Sequence, residues 1–194
     1  MMKRMTALAA GLVCWAMGGA AHAKVESATL GLLVHSVPVS DIKNSDKESG
    51  VDLQAQVNFT APGFFKYALS PQPYLIATLN TNGDTSYGGF GFQWDFGFAD
   101  KWHFNPAVGY VIHNGDTNEP ASLGKGTPAY QAYLDEHLLL GSPDLFRLAL
   151  AVSREIGPHT EAEFSFEHLS HGYIIGDGRN QGLDNAGLRL IYKY

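Results

Sequence analysis

A two-residue rhythm constrains this chain more than any other feature, and it is clearest near the C-terminus. Residues two apart on a β-strand share a face. Ala162, Phe164, Phe166, His168 and Ser170 therefore stand on one side of their strand, and Glu161, Glu163, Ser165 and Glu167 on the other. The closing segment repeats the pattern. Asp184, Ala186, Leu188, Leu190, Tyr192 and Tyr194 share one parity, and Arg189 and Lys193 lie opposite with Asn185, Gly187 and Ile191. Each segment has an apolar wall and a wet wall.

The same rhythm runs upstream. Val51, Leu53, Ala55, Val57 and Phe59 alternate with Asp52, Gln54, Gln56 and Asn58. Strands are expected over Thr29–His35, Val51–Phe59, Gln72–Asn80, Ser86–Phe98, Trp102–His113, Leu134–Ile156, His159–Ser170 and Asp184–Tyr194. Within Ser86–Phe98, Phe90, Phe92, Trp94, Phe96 and Phe98 form an aromatic wall opposite glycines and polar residues. Gly141-Ser142-Pro143 falls inside the sixth segment and marks a bulge or a break. Ser40–Gly50 and Asn114–Gln131 read as polar surface loops. Lipid outside and a filled lumen inside demand walls of this kind. The expected fold is all-β, an eight-stranded antiparallel outer-membrane β-barrel occupying residues 24–194. Connections at Asp100 and Gly157 are short, and those at Ser40, Asn114 and Gly172 are longer. Short periplasmic turns and long outer loops follow that pattern, apart from the longer Thr60–Pro71 connection.

The first 23 residues read as a signal peptide. Lys3 and Arg4 precede an apolar run from Met5 to Ala21, and Ala21-His22-Ala23 provides a small-x-small cleavage site after Ala23. Cys14 follows a poor lipobox and is expected to leave with the leader. The remaining 171 residues have no cysteine and suit one domain. They carry 11 basic and 19 acidic residues, a formal charge of −8, which argues against nucleic acid as a partner.

Chemistry concentrates between Phe164 and Leu188. If the last two strands pair, His168, Ser170 and Asp184 meet on the apolar wall near the loop. These are a base, a nucleophile and an acid. The α-carbons of His168 and Ser170 are expected about 6.5–7 Å apart, which lets their side chains meet. Gly172 and nearby backbone amides can serve as oxyanion donors. His168, His171 and Asp177 offer metal-ligating atoms without a diagnostic spacing, and no metal or cofactor is expected. His35, His103, His113, His137 and His159 are scattered and receive no role.

Glu167-His168-Leu169-Ser170, Asn180-Gln181-Gly182-Leu183-Asp184-Asn185 and Gly187–Tyr194 resemble the C-terminal signature of PagL-type lipid A 3-O-deacylases. Weaker similarity reaches Leu79–Ser86 and Leu140–Pro143. The resemblance implies an eight-stranded outer-membrane barrel that hydrolyses the ester-linked hydroxyacyl chain at position 3 of lipid A. It implies Ser170 as nucleophile, His168 as base, Asp184 as the acid that orients the histidine, and an oxyanion region at His171 and Gly172. Lipopolysaccharide in the outer leaflet is then the partner. Two positions depart from the pattern: Asp184 where PagL carries Glu, and His171 where the family usually has Asn. They motivate a second reading, a non-catalytic structural barrel, and a third is an outer-membrane phospholipid esterase. A homodimer is compatible with the sequence, which leaves the oligomeric state open.

Overall fold

The computed structural model describes residues 24–176 and 178–194. The expected leader and Asp177 lie outside the described residues. Ten strand segments follow in chain order: β1 (Val25–Val34), β2 (Val51–Phe59), β3 (Gln72–Asn80), β4 (Tyr87–Gln93), β5 (Phe96–Ala99), β6 (Trp102–Phe104), β7 (Ala107–His113), β8 (Asp144–Gly157), β9 (Thr160–Ser170) and β10 (Leu183–Lys193). β4 with β5, and β6 with β7, are halves of interrupted strands. The wall therefore has eight strands, all antiparallel to their neighbours, and it closes through the β8–β9 and β1–β10 ladders. Closure leaves no open edge whose backbone groups would face hydrocarbon unpaired.

The interruptions correct the expectation of unbroken strands over Ser86–Phe98 and Trp102–His113. Pro106 has no N–H to give to a ladder. The chain passes this point with Trp94 N donating to Pro106 O at 2.9 Å and Asn105 N to Ala151 O at 2.8 Å. The sixth expected strand is corrected more substantially. Leu134 lies in a helix, α1 (Pro128–Glu136), and β8 starts only at Asp144. Thr127 caps α1 by accepting from Tyr130 N, and Pro128 occupies its first turn. Tyr130 and Leu134, four residues apart, bury one face against Leu139. The apolar run Leu138–Leu140 is a lid instead of a strand. Leu138 and Leu140 pack with Leu145, Leu169 and Leu183 across the loop end of the lumen.

Alternation decides what each wall faces. Leu30, Leu32, Leu53, Leu75, Phe90, Leu148, Phe164 and Leu188 stand outward and exposed. Glu163, Ser165, Glu167, Arg147, Gln54 and Asn185 fill the lumen. A polar inside and an apolar outside invert the water-soluble arrangement and match a barrel solvated by lipid. An 11-residue strand such as β9, tilted by about 45°, covers about 25 Å, the height of the apolar band of such barrels.

The lumen is a packed polar core. Arg147 Nε donates to Glu167 at 2.7 Å and its Nη1 to Tyr74 Oη at 3.0 Å. Tyr87 and Gln54 also donate to Glu167. Arg189 Nε donates to Glu163 at 2.6 Å and its Nη1 to Gln54 at 2.9 Å. A buried charge is tolerable only when paired and hydrogen-bonded, and both arginines meet that condition. One end of the barrel carries the two-residue turns Asp100–Lys101 and Pro158–His159, and a short 3-10 helix, Gly63–Ala68. The other end carries the 35–50, 81–86, 114–143 and 171–182 connections.

Candidate active site

β9 delivers His168 and Ser170 to the outer wall as the ninth and eleventh of its residues, next to the loops. The β9–β10 register sets Asp184 directly opposite His168, and directly opposed residues in an antiparallel pair have their side chains in contact. His168 Nδ1 lies 2.6 Å from Asp184 Oδ1. A carboxylate at that distance holds the proton on Nδ1 and leaves Nε2 as the basic nitrogen. The Asp184 side chain is 2% exposed and that of His168 is 29% exposed, so the acid is shielded and the base is reachable. Ser170 stands two residues from His168 on the same face, flanked by Phe146 of β8. No hydrogen bond joins the Ser170 hydroxyl to the imidazole in this state.

Gly182 explains how the ring is seated. A Cβ at this position would fall 2.5 Å from His168 Cε1. The imidazole therefore lies against bare backbone, and any side chain at 182 would displace it.

Sequence reasoning missed Ser40. The chain leaving β1 runs alongside β10, where Ser36 N donates to Asn185 Oδ1 and Val37 N to Asp184 O at 2.7 Å. It then folds over the acid. Ser40 N donates to Asp184 Oδ2 at 2.5 Å, and Ser40 Oγ lies 2.8 and 2.7 Å from the two carboxylate oxygens. Ser40 Oγ is also 2.9 Å from His168 Nδ1. With the Nδ1 proton directed at Asp184, the serine hydroxyl donates to the carboxylate as well. Asp184 is thus held by the histidine and by two donors of one loop residue. No local pattern announces this contact, which depends on β1 neighbouring β10 across the barrel closure.

The solvated excursion expected over Ser40–Gly50 is part of a 35–50 loop that is tied down at both ends. His35 is buried between carboxylates, with Nδ1 2.9 Å from Asp52 Oδ2 and Nε2 2.9 Å from Glu48 Oε2. Burial alone would lower the pKa of this imidazole. The hydrogen bonds and charges of Asp52 and Glu48 outweigh it and raise the pKa to about 9. Glu48 also accepts from Thr85 Oγ1 at 2.8 Å. Further along, Asp41 accepts from Gly182 N and from Asn44 Nδ2, which joins the loop to the residues beside His168.

His171 and Gly172 differ from each other. The His171 ring is fully buried, and a Cβ at Gly141 would fall 2.7 Å from its Nε2. Its backbone N–H donates to Asn180 Oδ1 at 3.0 Å and its Nδ1 accepts from Tyr173 N. The residue anchors the 171–182 connection. Gly172 is exposed with φ +59°, a conformation that favours glycine. Its N–H makes no hydrogen bond among the described residues.

Of the histidines given no role, His35 holds the loop, and His103 joins a second cluster at the turn end. His103, Glu155 and Glu161 bring ligand-type atoms within 4.8 Å of one another. Lys193 already supplies a cation there, in contact with Glu161 and 3.2 Å from Asp95.

Fold and site together define a membrane β-barrel with Ser170, His168 and Asp184 gathered on its outer wall. Neither protein-family models nor curated proteins match the sequence. Among solved structures, the chain is similar to the crystal structure of the outer membrane enzyme PagL, with 12% identity, coverage of 88% of this chain and 100% of that one, and a TM-score of 0.54. It also matches the crystal structure of Neisserial surface protein A, NspA, with 10% identity over 88% of this chain and 96% of that one, and a TM-score of 0.49. A de novo designed transmembrane β-barrel matches with 8% identity over 88% and 98% of the two chains, and a TM-score of 0.48. At 12% identity the likeness to PagL extends to the fold.

Proposed function

We propose that this chain is an outer-membrane serine esterase that removes the ester-linked 3-hydroxyacyl chain of lipid A. It would be exported by a signal peptide cleaved after Ala23. The observation that carries the reading is the His168–Asp184 hydrogen bond on the lipid-facing wall, with Ser170 two residues along the same face. A shielded ion-pair partner behind a reachable imidazole is costly at a lipid boundary, where polar groups carry a depth-dependent penalty.

In this reading Ser170 Oγ attacks the ester carbonyl while His168 Nε2 takes its proton. Asp184 stabilises the imidazolium that forms. The Gly172 N–H is the candidate donor to the oxyanion, a contact type worth about 10²–10³ in rate. Collapse of the tetrahedral intermediate breaks the bond to the sugar oxygen, which receives the proton from His168. Water, deprotonated by the same imidazole, then cleaves the acyl-serine. Ser40 acts through Asp184 as a positioning residue. Exposed Val39, Ile42, Tyr173 and Ile174 flank the site and suit a substrate whose chains lie in the membrane.

Mass spectrometry of lipid A from cells producing the protein, or its Ser170→Ala variant, tests this. Loss of one hydroxyacyl chain with the native serine only is the expected result. The missing Ser170–His168 hydrogen bond favours a second reading, a barrel that keeps the fold without the activity. An unchanged lipid A mass, with folded protein in the membrane, would support it. Assays on purified phospholipid separate a phospholipid esterase from both.

A further inference from the structure

Beside the candidate esterase site lies a polar cavity of about 480 Å³ between the 35–50 loop, α1 and the 171–182 connection. Lys43, Lys47 and Arg179 line it. Basic residues are in the minority in this acidic chain, so three in one cavity call for an explanation. The acids on the same wall, Asp46 and Asp135, form no salt bridge with them among the described residues. Neither Lys43 nor Lys47 is ion-paired to a carboxylate among the described residues. The Lys47 ammonium donates instead to a backbone carbonyl, Leu134 O, at 2.7 Å. Burial lowers its pKa, and the charge of Arg179 adds to that effect against the opposing acids. Arg179 spends its Nε on Glu119 at 2.6 Å, and a guanidinium has further donors.

The cavity adjoins the esterase site through the chain between Gln181 and Gly182. Gln181 lines it and donates to Asn44 Oδ1 at 2.8 Å. The next residue, Gly182, is the backbone on which His168 rests. The cavity also sits at the loop end, above the apolar band. A lipid with its ester at Ser170 and its chains along the outer wall would hold its headgroup here.

We propose that this cavity binds a phosphate group on the headgroup of the lipid substrate, with Lys43 and Lys47 as the principal contacts and Arg179 at the rim. This rests on the esterase reading for the lipid's orientation, whereas the anion site itself rests on the cavity. Phosphate matches the donor set, because ammonium groups bind it as point charges and a guanidinium binds it through a fork of N–H groups.

The test uses full-length protein in detergent micelles with Ser170→Ala, so that binding is read without turnover. Lipid A carrying its phosphates and lipid A stripped of them are titrated, and inorganic phosphate is added as a competitor. The phosphorylated lipid should bind on the order of tenfold or more tightly, each charge-assisted contact being worth about that factor. Lys43→Gln with Lys47→Gln should abolish the preference, and Lys43→Arg should preserve it. Retained heat-modifiable gel mobility would establish that the variants are folded barrels. Equal binding of the two lipids, or a preference that survives the double substitution, overturns the proposal. So does binding of inorganic phosphate without discrimination between the lipids. Hydrolysis by the Ser170 protein is scored separately. Phosphate-dependent binding without hydrolysis would sink the esterase reading and leave the cavity standing, and hydrolysis indifferent to phosphate would do the reverse.

Discussion

His168 Nδ1 lies 2.6 Å from Asp184 Oδ1 across a directly opposed strand pair, with the acid shielded and the imidazole reachable. In the proposed mechanism the acid has one task, to hold the Nδ1 proton and leave Nε2 free. Asp184→Asn keeps the shape but presents an amide, which can orient the wrong tautomer. Esterase turnover should fall by about 10⁴, as in other triads that lose this acid. Turnover of phosphorylated lipid A in micelles measures it, and a change smaller than tenfold would remove Asp184 from the mechanism.

Ser40 adds two donors to the same carboxylate. Ser40→Ala removes the hydroxyl and keeps the N–H. A hydrogen bond to a charged group is worth about 1.5–3 kcal/mol, so turnover should drop by about ten- to a hundredfold. Ser40→Thr restores a hydroxyl and should recover most of it. If alanine and threonine behave alike, the 35–50 loop acts through its backbone alone.

Gly182→Ala tests the seating of the imidazole. The added methyl would fall 2.5 Å from His168 Cε1. Gly182 lies outside the strands, so the barrel should fold normally while the ring is pushed from Asp184. Activity should fall by about a hundredfold, the scale on which a misplacement of about 1 Å acts. Unchanged thermal stability and gel mobility would separate this from misfolding.

Most of the wall was legible because parity is a local property. The outward His168, Ser170 and Asp184 and the inward Glu163 and Glu167 follow from counting by twos. What was misread depends on other information. Leu138–Leu140 is apolar, and short apolar runs do not separate a strand from a lid. The cues for α1 were Thr127-Pro128 and the four-residue spacing of Tyr130 and Leu134. The breaks at Trp94 and Asn105 answer to Pro106, whose missing N–H is visible in the sequence, whereas its effect on the neighbouring strand is not. Ser40 was out of reach altogether, since its partner is 144 residues away and contact depends on closure of the barrel.

The lumen predicts where stability resides. Arg147 is fully buried, hydrogen-bonded to Glu167 and Tyr74 and lying over the Tyr74 ring. Arg147→Ala would leave Glu167 as an uncompensated buried charge, at a cost of about 3–5 kcal/mol. Pairing Arg147→Met with Glu167→Gln removes both charges at near-constant volume and should recover much of the loss. Urea-dependent gel mobility in lipid vesicles measures both variants, and equal loss in the two would show that the pairing is not what matters.

His35 makes anchoring of the 35–50 loop depend on pH. Its folded pKa, about 9, lies above the ordinary value of 6.5 because Asp52 and Glu48 outweigh the effect of burial. A raised pKa means that the folded loop binds the proton more tightly than the open loop does. The resulting stabilisation is complete below about pH 6.5, shrinks as pH rises and is lost above about pH 9. A shift of this size corresponds to about 3 kcal/mol of loop closure at the acidic limit. A spin label at Ser45→Cys reports on the loop, Cys14 being the only native cysteine. The label should be immobile at pH 6 and gain mobility through pH 9. In His35→Gln it should be mobile at both, because a neutral amide cannot balance two carboxylates. Because this loop carries Ser40, esterase activity should decline over the same alkaline range in the native protein. A label whose mobility is the same at pH 6 and pH 10 would mean that Thr85 and the Asp41–Gly182 contact hold the loop without the charge on His35.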